Sequence, residues 1–381
     1  MAKRLVVCCD GTWDFADQPS KTNVAKLALS VRPGTAAGED QHVYYHSGVG
    51  TQRWDHLRGG AFGMGLSRNI IDAYRFLVEA YEPGDELFLF GFSRGAFTVR
   101  SLAGLVRNSG IVRRDQAHRI KAAWALYRDR IEKPTGVTST LFRRSFAHET
   151  EIHFIGVWDT VGALGIPAPD ARWLNSAVEE FNHRWAFHNT ELSSLVKAAF
   201  QALAVDEQRS AFQPTLWHQK PSAAEQGQEL KQVWFAGTHC DVGGGYKETG
   251  LSDIALLWMV DQARRHGLKF NTDALSATGP SAMQPGESVD FRVQPDASGP
   301  LHPSRTELWR LAKPLHRPIG CAADDHRLDG NEFLAAPAKE RYDDDTSYRP
   351  PNLEQYLAAP QRVSVESVLL SSVDAAERVP G

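Results

Sequence analysis

Residues 85–96 read DELFLFGFSRGA, an apolar run that leads into the pentapeptide GFSRG and then into a second apolar segment. The run at 86–90 has the length and continuous hydrophobicity of a strand covered on both faces. Residues 96–108 carry apolar side chains at helical spacing and end before Gly110, a good helix stop. A Gly-x-Ser-x-Gly sequence between a strand and a helix is typical of a nucleophile elbow, which would project the hydroxyl of Ser93 from a tight turn.

Other short apolar runs, bounded by Gly, Asp or Pro, predict further buried strands. Including the run above, these predicted strands are residues 5–9, 43–45, 86–90, 152–158 and 233–236. Helical periodicity separates them and predicts helices at 69–81, 96–108 and 254–266. The alternation of strand and helix predicts a doubly wound α/β sheet. Together with the elbow sequence around Ser93, it predicts an α/β-hydrolase-like fold with a mostly parallel central sheet, helices on both faces and helical insertions.

The domain organisation follows from where this alternation is interrupted. We expect a single α/β-hydrolase domain over residues 1–335, with insertions at about 111–150 and 165–230. The insertions would form either a cap over the carboxyl edge of the sheet or extra helices on one of its faces. Residues 336–381 are polar and contain prolines, which indicates a partly irregular C-terminal extension.

Composition excludes several classes of partner. The 381 residues carry a net charge of −4, so no basic field favours nucleic acid. No apolar stretch approaches the length of a membrane span, although transient membrane contact is compatible with the sequence. The first residues enter a strand-like run too early for a signal peptide, which predicts a cytoplasmic protein; export by a signal-free secretion system is also compatible. The four cysteines form no CxxC pair, which favours a reducing compartment. The sequence indicates no oligomeric state.

A serine nucleophile needs a base within hydrogen-bond reach, and a carboxylate that orients the base. In α/β-hydrolases these partners follow the serine in the order acid, then histidine. Asp159 ends one apolar run, and His239 follows another and precedes three glycines, so we predict them as acid and base. Asp241 and Asp10 are the alternative acids or supporting partners of the site, and His302 is the next candidate base.

An oxyanion hole requires two N–H donors near the reacting carbonyl, and one such donor is worth about 3 kcal/mol in rate. The amide of Arg94, directly after the serine, is the first expected donor. The loop after the first predicted strand supplies the second, from Gly11 or Thr12, beside Asp10. An ordinary turn would explain the same loop residues.

With these segments in order, the chain resembles the α/β-hydrolase family that includes the catalytic domain of type VI secretion phospholipase effectors. The matching stretches cover about two-thirds of the chain and are CCDGTWD (8–14), KTNV (21–24), GFSRGA (91–96), GVWDTVGALG (156–165), AVDEQRSAFQPTLW (204–217), WFAGTHCDVGGGY (234–246) and LSDIALLWM (251–259). The resemblance implies a serine hydrolase with a Ser–Asp–His triad that cleaves ester bonds, in some members those of phospholipids. It supports Ser93, His239 and Asp159 in these roles.

The leading prediction is therefore a serine hydrolase of the esterase, lipase or phospholipase type, acting on a small-molecule or lipid ester and requiring no metal or organic cofactor. One alternative is a metal-dependent phosphoesterase with Asp10, His239 and Asp241 as ligands. A second alternative is a non-catalytic binding protein on a hydrolase scaffold, because a fold does not guarantee an activity.

Overall fold

One parallel sheet of eight strands organises the chain. The computed structural model describes residues 2–11, 20–34, 40–48, 59–129, 131–161, 191–271, 273–275, 291–305, 313–320, 331–360 and 363–370. The strands of this sheet are β1 (Arg4–Cys9), β2 (Gln41–His46), β3 (Glu86–Phe92), β6 (Ile152–Trp158), β7 (Val196–Ala204), β8 (Glu229–Phe235), β9 (Glu332–Ala335) and β10 (Val365–Glu366). A separate antiparallel pair joins β4 (Ile111–Val112) to β5 (Ala147–His148).

The order of strands across the sheet is β10-β9-β8-β7-β6-β3-β1-β2, and every neighbouring pair is parallel. The chain therefore adds β2 on one side of β1, and then returns to add β3 and the later strands on the other side of β1. The carboxyl ends of β1 and β3 lie side by side at this reversal. Open α/β sheets bind ligands at such a switch point.

The helices lie on both faces of the sheet, as the sequence predicts. They are α1 (Asn23–Ser30), α2 (Gly59–Ala80), α3 (Arg94–Ser109), α4 (Ile120–Arg128), α5 (Val137–Phe146), α6 (Pro221–Glu225), α7 (His239–Gly243), α8 (Gly250–Arg265), α9 (Ala336–Asp344) and α10 (Pro351–Leu357). Among the described residues, no helix is both long and apolar enough to cross a membrane.

The core is divided by the sheet into two apolar clusters. In β1, Val6 and Cys8 belong to the cluster shared with α1 and α8, whereas Leu5 and Val7 belong to the cluster shared with α2 and α3. Successive side chains of a strand point to opposite faces, so a strand covered on both sides must be apolar throughout. This arrangement explains the uninterrupted apolar runs of the sequence.

The two expected insertions and the expected C-terminal extension each contain residues that form regular secondary structure. Within the expected insertion at 165–230, residues 196–204 form β7, a central strand between β6 and β8. Residues 111–148 form the β4–β5 pair with α4 and α5, and both helices contact α3. In the expected C-terminal extension, β10 pairs with β9 and so continues the main sheet.

Candidate active site

The turn after β3 holds Ser93 in an uncommon backbone conformation, with φ 56° and ψ −117°. Positive φ in a non-glycine residue is costly and is characteristic of functional turns. The turn is tight: a Cβ on Gly91 would lie 2.5 Å from the carbonyl oxygen of Gly95. The amide of Ser93 donates to the carbonyl of Trp158 at 3.0 Å, which ties the turn to the end of β6. These features are those of a nucleophile elbow.

A continuous series of hydrogen bonds joins the three residues predicted as nucleophile, base and acid. The Nε2 atom of His239 lies 2.8 Å from Oγ of Ser93, and its Nδ1 atom lies 2.5 Å from Oδ2 of Asp159. The three residues follow β3, β8 and β6, so three carboxyl ends of the sheet bring them together. All three side chains are buried.

Asp159 is the most enclosed of the three. Its own φ is 39°, and its amide donates to the carbonyl of Ala202 at 2.8 Å. Its Oδ1 atom accepts a hydrogen bond from the amide of Ala204 at 3.2 Å. Burial opposes ionisation of this carboxyl, but the positive charge of Arg317 and the bond to His239 outweigh it and hold the pKa of Asp159 well below its usual 3.8.

Arg317 is a site residue that the sequence analysis missed. Its guanidinium binds both oxygens of Asp159, with Nη1 donating to Oδ1 at 2.7 Å and Nη2 donating to Oδ2 at 3.0 Å. The residue stands between prolines in irregular sequence, and no spacing or motif relates it to Asp159. Only a general physical argument points to such a residue: a buried carboxylate needs a compensating positive charge.

The imidazole of His239 lies in an apolar environment. Its ring packs on Phe92, with centroids 4.6 Å apart, and meets Phe212 edge to face at 4.9 Å. Burial lowers the pKa of His239 from its usual 6.5, against the opposing effect of Asp159. A lowered pKa keeps the ring neutral at neutral pH, and a neutral ring can accept a proton from a hydroxyl.

Two of the alternative residues, Asp241 and His302, pair with each other and not with Ser93. His302 Nδ1 lies 2.6 Å from Oδ1 of Asp241. The other oxygen of Asp241 accepts bonds from the amide and hydroxyl of Thr238, both at 2.9 Å, and so caps α7. Thr238 directly precedes His239, so Asp241 supports the helical turn that carries the imidazole. This is the supporting place that the sequence analysis allowed for Asp241.

The loop after β1 lies against the elbow. A Cβ on Gly11 would lie 3.5 Å from Cβ of Ser93. The Gly11 amide donates to Oδ1 of Asp10 at 2.8 Å, while the hydroxyls of Thr22 and Tyr45 donate to Oδ2. Asp10 therefore fixes this loop. Thr12, the other expected oxyanion donor, lies outside the described residues.

Arg94, the first expected oxyanion donor, is the first residue of α3. Amides in the first turn of a helix have no acceptor within the helix and lie at its positive end. The position suits a backbone donor for negative charge that develops next to Ser93.

The residues suggested as metal ligands take part in separate hydrogen-bond groups. Asp10 binds its own loop, His239 binds Ser93 and Asp159, and Asp241 binds Thr238 and His302. In the part of the chain that the structure describes, no group of three or more His, Cys, Asp or Glu side chains could hold a metal ion. The described residues thus do not assemble the suggested phosphoesterase site.

A parallel sheet with a serine elbow, and with a histidine and an aspartate hydrogen-bonded in series to the serine at the same edge of the sheet, defines an α/β-hydrolase-like protein. Residues 3–262 match the family described as "T6SS, Phospholipase effector Tle1-like, catalytic domain", and the chain belongs to this family. The family is named for lipid hydrolases that type VI secretion systems export.

Comparison with individual proteins gives more distant similarities. The uncharacterized protein YEL023C of Saccharomyces cerevisiae is 32% identical over 235 residues, which are 55% of this chain and 32% of that protein. A crystal structure of an uncharacterized protein from Pseudomonas aeruginosa shares 16% identity at a TM-score of 0.44, covering 71% of this chain and 46% of that one. The Tle1 effector bound to the VgrG spike of the type VI secretion system shares 20% identity at a TM-score of 0.37, covering 64% and 51%. The chain thus spans about a third of the curated relative and about half of each solved chain.

Proposed function

We propose that this chain is a serine hydrolase that cleaves carboxylic ester bonds of lipids, with phospholipids as the leading substrate class. The observation that carries the proposal is the series from Ser93 Oγ through both ring nitrogens of His239 to Asp159, with 2.8 and 2.5 Å between partners. The lipid part of the proposal rests on membership of the Tle1-like phospholipase family.

In the proposed reaction His239 takes the proton of the Ser93 hydroxyl while Oγ attacks the ester carbonyl. The resulting imidazolium is held by the carboxylate of Asp159. Collapse of the tetrahedral intermediate breaks the bond to the alcohol, which leaves with the proton from His239. A water molecule then gives a proton to His239 as its oxygen attacks the acyl-enzyme. Collapse of the second tetrahedral intermediate breaks the bond from the acyl carbon to Oγ, and His239 returns the proton to Oγ, which releases the acid and restores Ser93. No metal or organic cofactor enters these steps.

Two amides are proposed to bind the oxyanion of the tetrahedral intermediate. The first is the amide of Arg94, at the start of α3. The second comes from the loop after β1, from Gly11 or Thr12. The Gly11 amide can serve only when it exchanges its 2.8 Å bond to Asp10 for a bond to the substrate oxygen.

Membership of the family supports a proposal for the protein's location and membrane contact. We propose that the protein is made in the cytoplasm and leaves it through a signal-free secretion system, touching membranes only transiently. The alternatives of a metal-dependent phosphoesterase and of a non-catalytic binding protein gain no supporting observation from the described residues.

The test combines active-site labelling with turnover. Wild-type protein treated with a fluorophosphonate probe is expected to carry one adduct, mapped by mass spectrometry to Ser93, and to hydrolyse short p-nitrophenyl esters and phospholipid vesicles. Ser93→Ala is expected to lose both properties. The matched control is Ser109→Ala, which removes a buried serine hydroxyl at the opposite end of α3 and is expected to keep both.

Three kinds of result would count against the proposal. An adduct at a different serine, or turnover by Ser93→Ala at the wild-type rate, would remove Ser93 from the mechanism. Activity that EDTA abolishes and the fluorophosphonate leaves unchanged would favour the phosphoesterase alternative. Purified protein that neither reacts with the probe nor cleaves any ester would favour a binding protein.

A further inference from the structure

Arg317 comes from a part of the chain that the family match does not reach. The matched residues end at 262, and Arg317 lies in the described segment 313–320. Its side chain is fully buried, as is that of Asp159. A fully buried arginine is rare unless it is paired, so its place beside the candidate acid is a specific feature of this site.

The guanidinium is held in one orientation. Besides its two bonds to Asp159, Nη1 donates to the carbonyl of Ala204 at 2.9 Å and Nη2 donates to the carbonyl of Phe212. Four hydrogen bonds from two terminal nitrogens leave the group no freedom to rotate. Because the pairing with the carboxylate is bidentate, a fixed guanidinium also fixes the plane of the carboxylate.

Both carboxylate oxygens of Asp159 are shared between Arg317 and one other donor. Oδ1 accepts from Arg317 and from the amide of Ala204, and Oδ2 accepts from Arg317 and lies 2.5 Å from Nδ1 of His239. Rotation of the carboxylate would break several bonds at once. The direction of the imidazole, and with it the approach of Nε2 to Ser93, therefore depends on the arginine.

The charges around His239 occur as two neutralised pairs. One pair is Asp159 with Arg317. The other is Glu207 with Arg209, joined by bonds of 2.8 and 2.7 Å, and Glu207 also accepts the His239 amide at 3.3 Å. Since each carboxylate has its own arginine, neither offers the imidazole a full uncompensated negative charge.

We propose that Arg317 is a positioning residue of the hydrolase: through Asp159 it aligns His239 with Ser93, and it neutralises the charge of the carboxylate that contacts the imidazole. The inference rests on the function proposed above. Arg317 contacts the carboxylate and not the substrate, so its removal changes turnover and pH dependence without changing substrate binding.

The direction of the pH effect follows from the charges. Without Arg317, the pair of His239 and Asp159 carries an uncompensated negative charge and takes up a proton more readily. The acid limb of kcat/KM then moves upward, by about one pH unit for the loss of one adjacent charge. Loss of alignment lowers kcat by roughly 100-fold, the scale found for small misplacements of reacting groups.

The test measures kcat, KM and the pH profile on p-nitrophenyl butyrate for wild type, Arg317→Gln, Arg317→Lys and Arg317→Ala. Arg317→Gln is expected to show the fall in kcat, a KM within about twofold of wild type and the upward shift of the acid limb. Arg317→Lys retains the charge but not the bidentate geometry, so it is expected to lose kcat with little shift. Guanidinium ion added to Arg317→Ala is expected to restore part of the lost kcat.

The matched control is Arg341→Gln. Arg341 also lies beyond residue 262 and donates to two backbone carbonyls, those of Ala297 and Gly299 at 2.9 and 2.7 Å. Its loss is expected to lower the urea midpoint of unfolding while the acid limb and kcat stay at their wild-type values. A purely structural role of Arg317 would produce this same pattern.

The outcomes separate the inference from the proposed function. Absence of labelling and turnover in wild type removes the function itself. A labelled, active wild type whose Arg317→Gln variant keeps the wild-type kcat and acid limb removes only the inference, as does an Arg317→Ala variant that guanidinium does not rescue. If Arg317→Gln and Arg317→Ala do not fold, Arg317→Lys decides. A fall in kcat with KM and the urea midpoint unchanged supports the inference, and a wild-type kcat overturns it.

Discussion

Gly95 lies against the carboxyl end of β1, where a Cβ at this position would stand 1.9 Å from the carbonyl oxygen of Cys9 and 2.6 Å from that of Asp10. The opposing atoms belong to the backbone of a central strand and cannot move aside. The second glycine of the elbow is therefore required by the contact between α3 and β1, and this contact also places Ser93 beside the loop that begins at Asp10.

We predict that Gly95→Ala removes ester hydrolysis and fluorophosphonate labelling together, because the added methyl group forces the start of α3 away from β1. Overpacking of this kind costs about 1–3 kcal/mol of unfolding free energy. Urea unfolding and probe labelling measure the two effects.

The control for this substitution is Gly104→Ala, in the same helix. There the nearest atom to a new Cβ is a ring carbon of Tyr127 at 3.0 Å, part of a side chain that can shift. The gain in helix propensity, up to about 1 kcal/mol, offsets the crowding. Equal losses in the two variants would show that Gly95 has no special role.

Asp159→Asn should lower both kcat and the free energy of unfolding. The amide cannot orient His239 as the carboxylate does, so kcat should fall by roughly 10⁴-fold, as for the same change in a serine protease. It also leaves the fully buried Arg317 without its counter-charge. Breaking a buried pair in this way costs about 3–5 kcal/mol of unfolding free energy.

Comparison with Ser93→Ala separates the loss of activity from the loss of stability. Both variants should be inactive on p-nitrophenyl butyrate, but only Asp159→Asn should unfold at a clearly lower urea concentration. Matching urea midpoints for the two variants would mean that the pairing of Asp159 with Arg317 contributes little to stability.

Asp206 should make the protein less stable as pH rises. Burial raises the pKa of Asp206 to about 6 from its usual 3.8, against the bonds from the Gly237 amide at 2.6 Å and the Tyr348 hydroxyl at 2.9 Å. The folded state therefore binds the proton of the Asp206 carboxyl more tightly than the unfolded chain does. The contribution of Asp206 to unfolding free energy falls between pH 4 and pH 6, by at most about 3 kcal/mol.

Asp206→Asn cannot ionise and should reduce this fall when urea unfolding is followed over the same pH range. Tyr348→Phe removes a donor that favours the charged form, so it should extend the fall to higher pH. Identical pH slopes for wild type and Asp206→Asn would contradict the assignment.

Lys26 and Asp253 should contribute strongly to stability, since they join α1 to α8 through an ion pair of 2.6 Å with both side chains fully buried. The other oxygen of Asp253 accepts bonds from Thr249 and from the amide of Gln294. We predict that Lys26→Met costs about 3–5 kcal/mol, because it leaves a buried carboxylate unpaired. The double variant Lys26→Met/Asp253→Leu should recover part of this loss.

The exposed pair of Lys339 and Asp343 provides the comparison. Their side chains are 35% and 52% accessible, so Lys339→Met should change the urea midpoint little. A loss for Lys26→Met no greater than the loss for Lys339→Met would show that the buried pair adds no stability of its own.

The strands closest to the elbow could be predicted because they are covered on both faces. Residues 152–158 were expected as a strand and form β6 with the same bounds, and 86–90 is extended by two residues into β3. Continuous hydrophobicity is sufficient to predict a strand that is long and lies in the centre of the sheet. Chain order then placed Asp159 and His239 after Ser93, and the structure brings the three side chains into contact.

Other parts of the sheet could not be predicted because their sequence lacks the expected signal. β7 reads VKAAFQALA, in which alanine and lysine are poor strand formers; its place between two strands overrides these preferences. β9 and β10, with four and two residues, are too short for a periodic pattern. Arg317 depends on a tertiary contact over 158 residues, which no local pattern encodes.

The order of the chain gives the pairing of Asp159 with Arg317 a consequence for synthesis. A ribosome releases Ser93, Asp159 and His239 in that order, and the counter-charge of Asp159 follows the aspartate by 158 residues. Until that segment emerges, the carboxylate has no guanidinium to bind, and burying it would cost the growing chain free energy. The site therefore reaches its final geometry late in translation, after most of the sheet has been made.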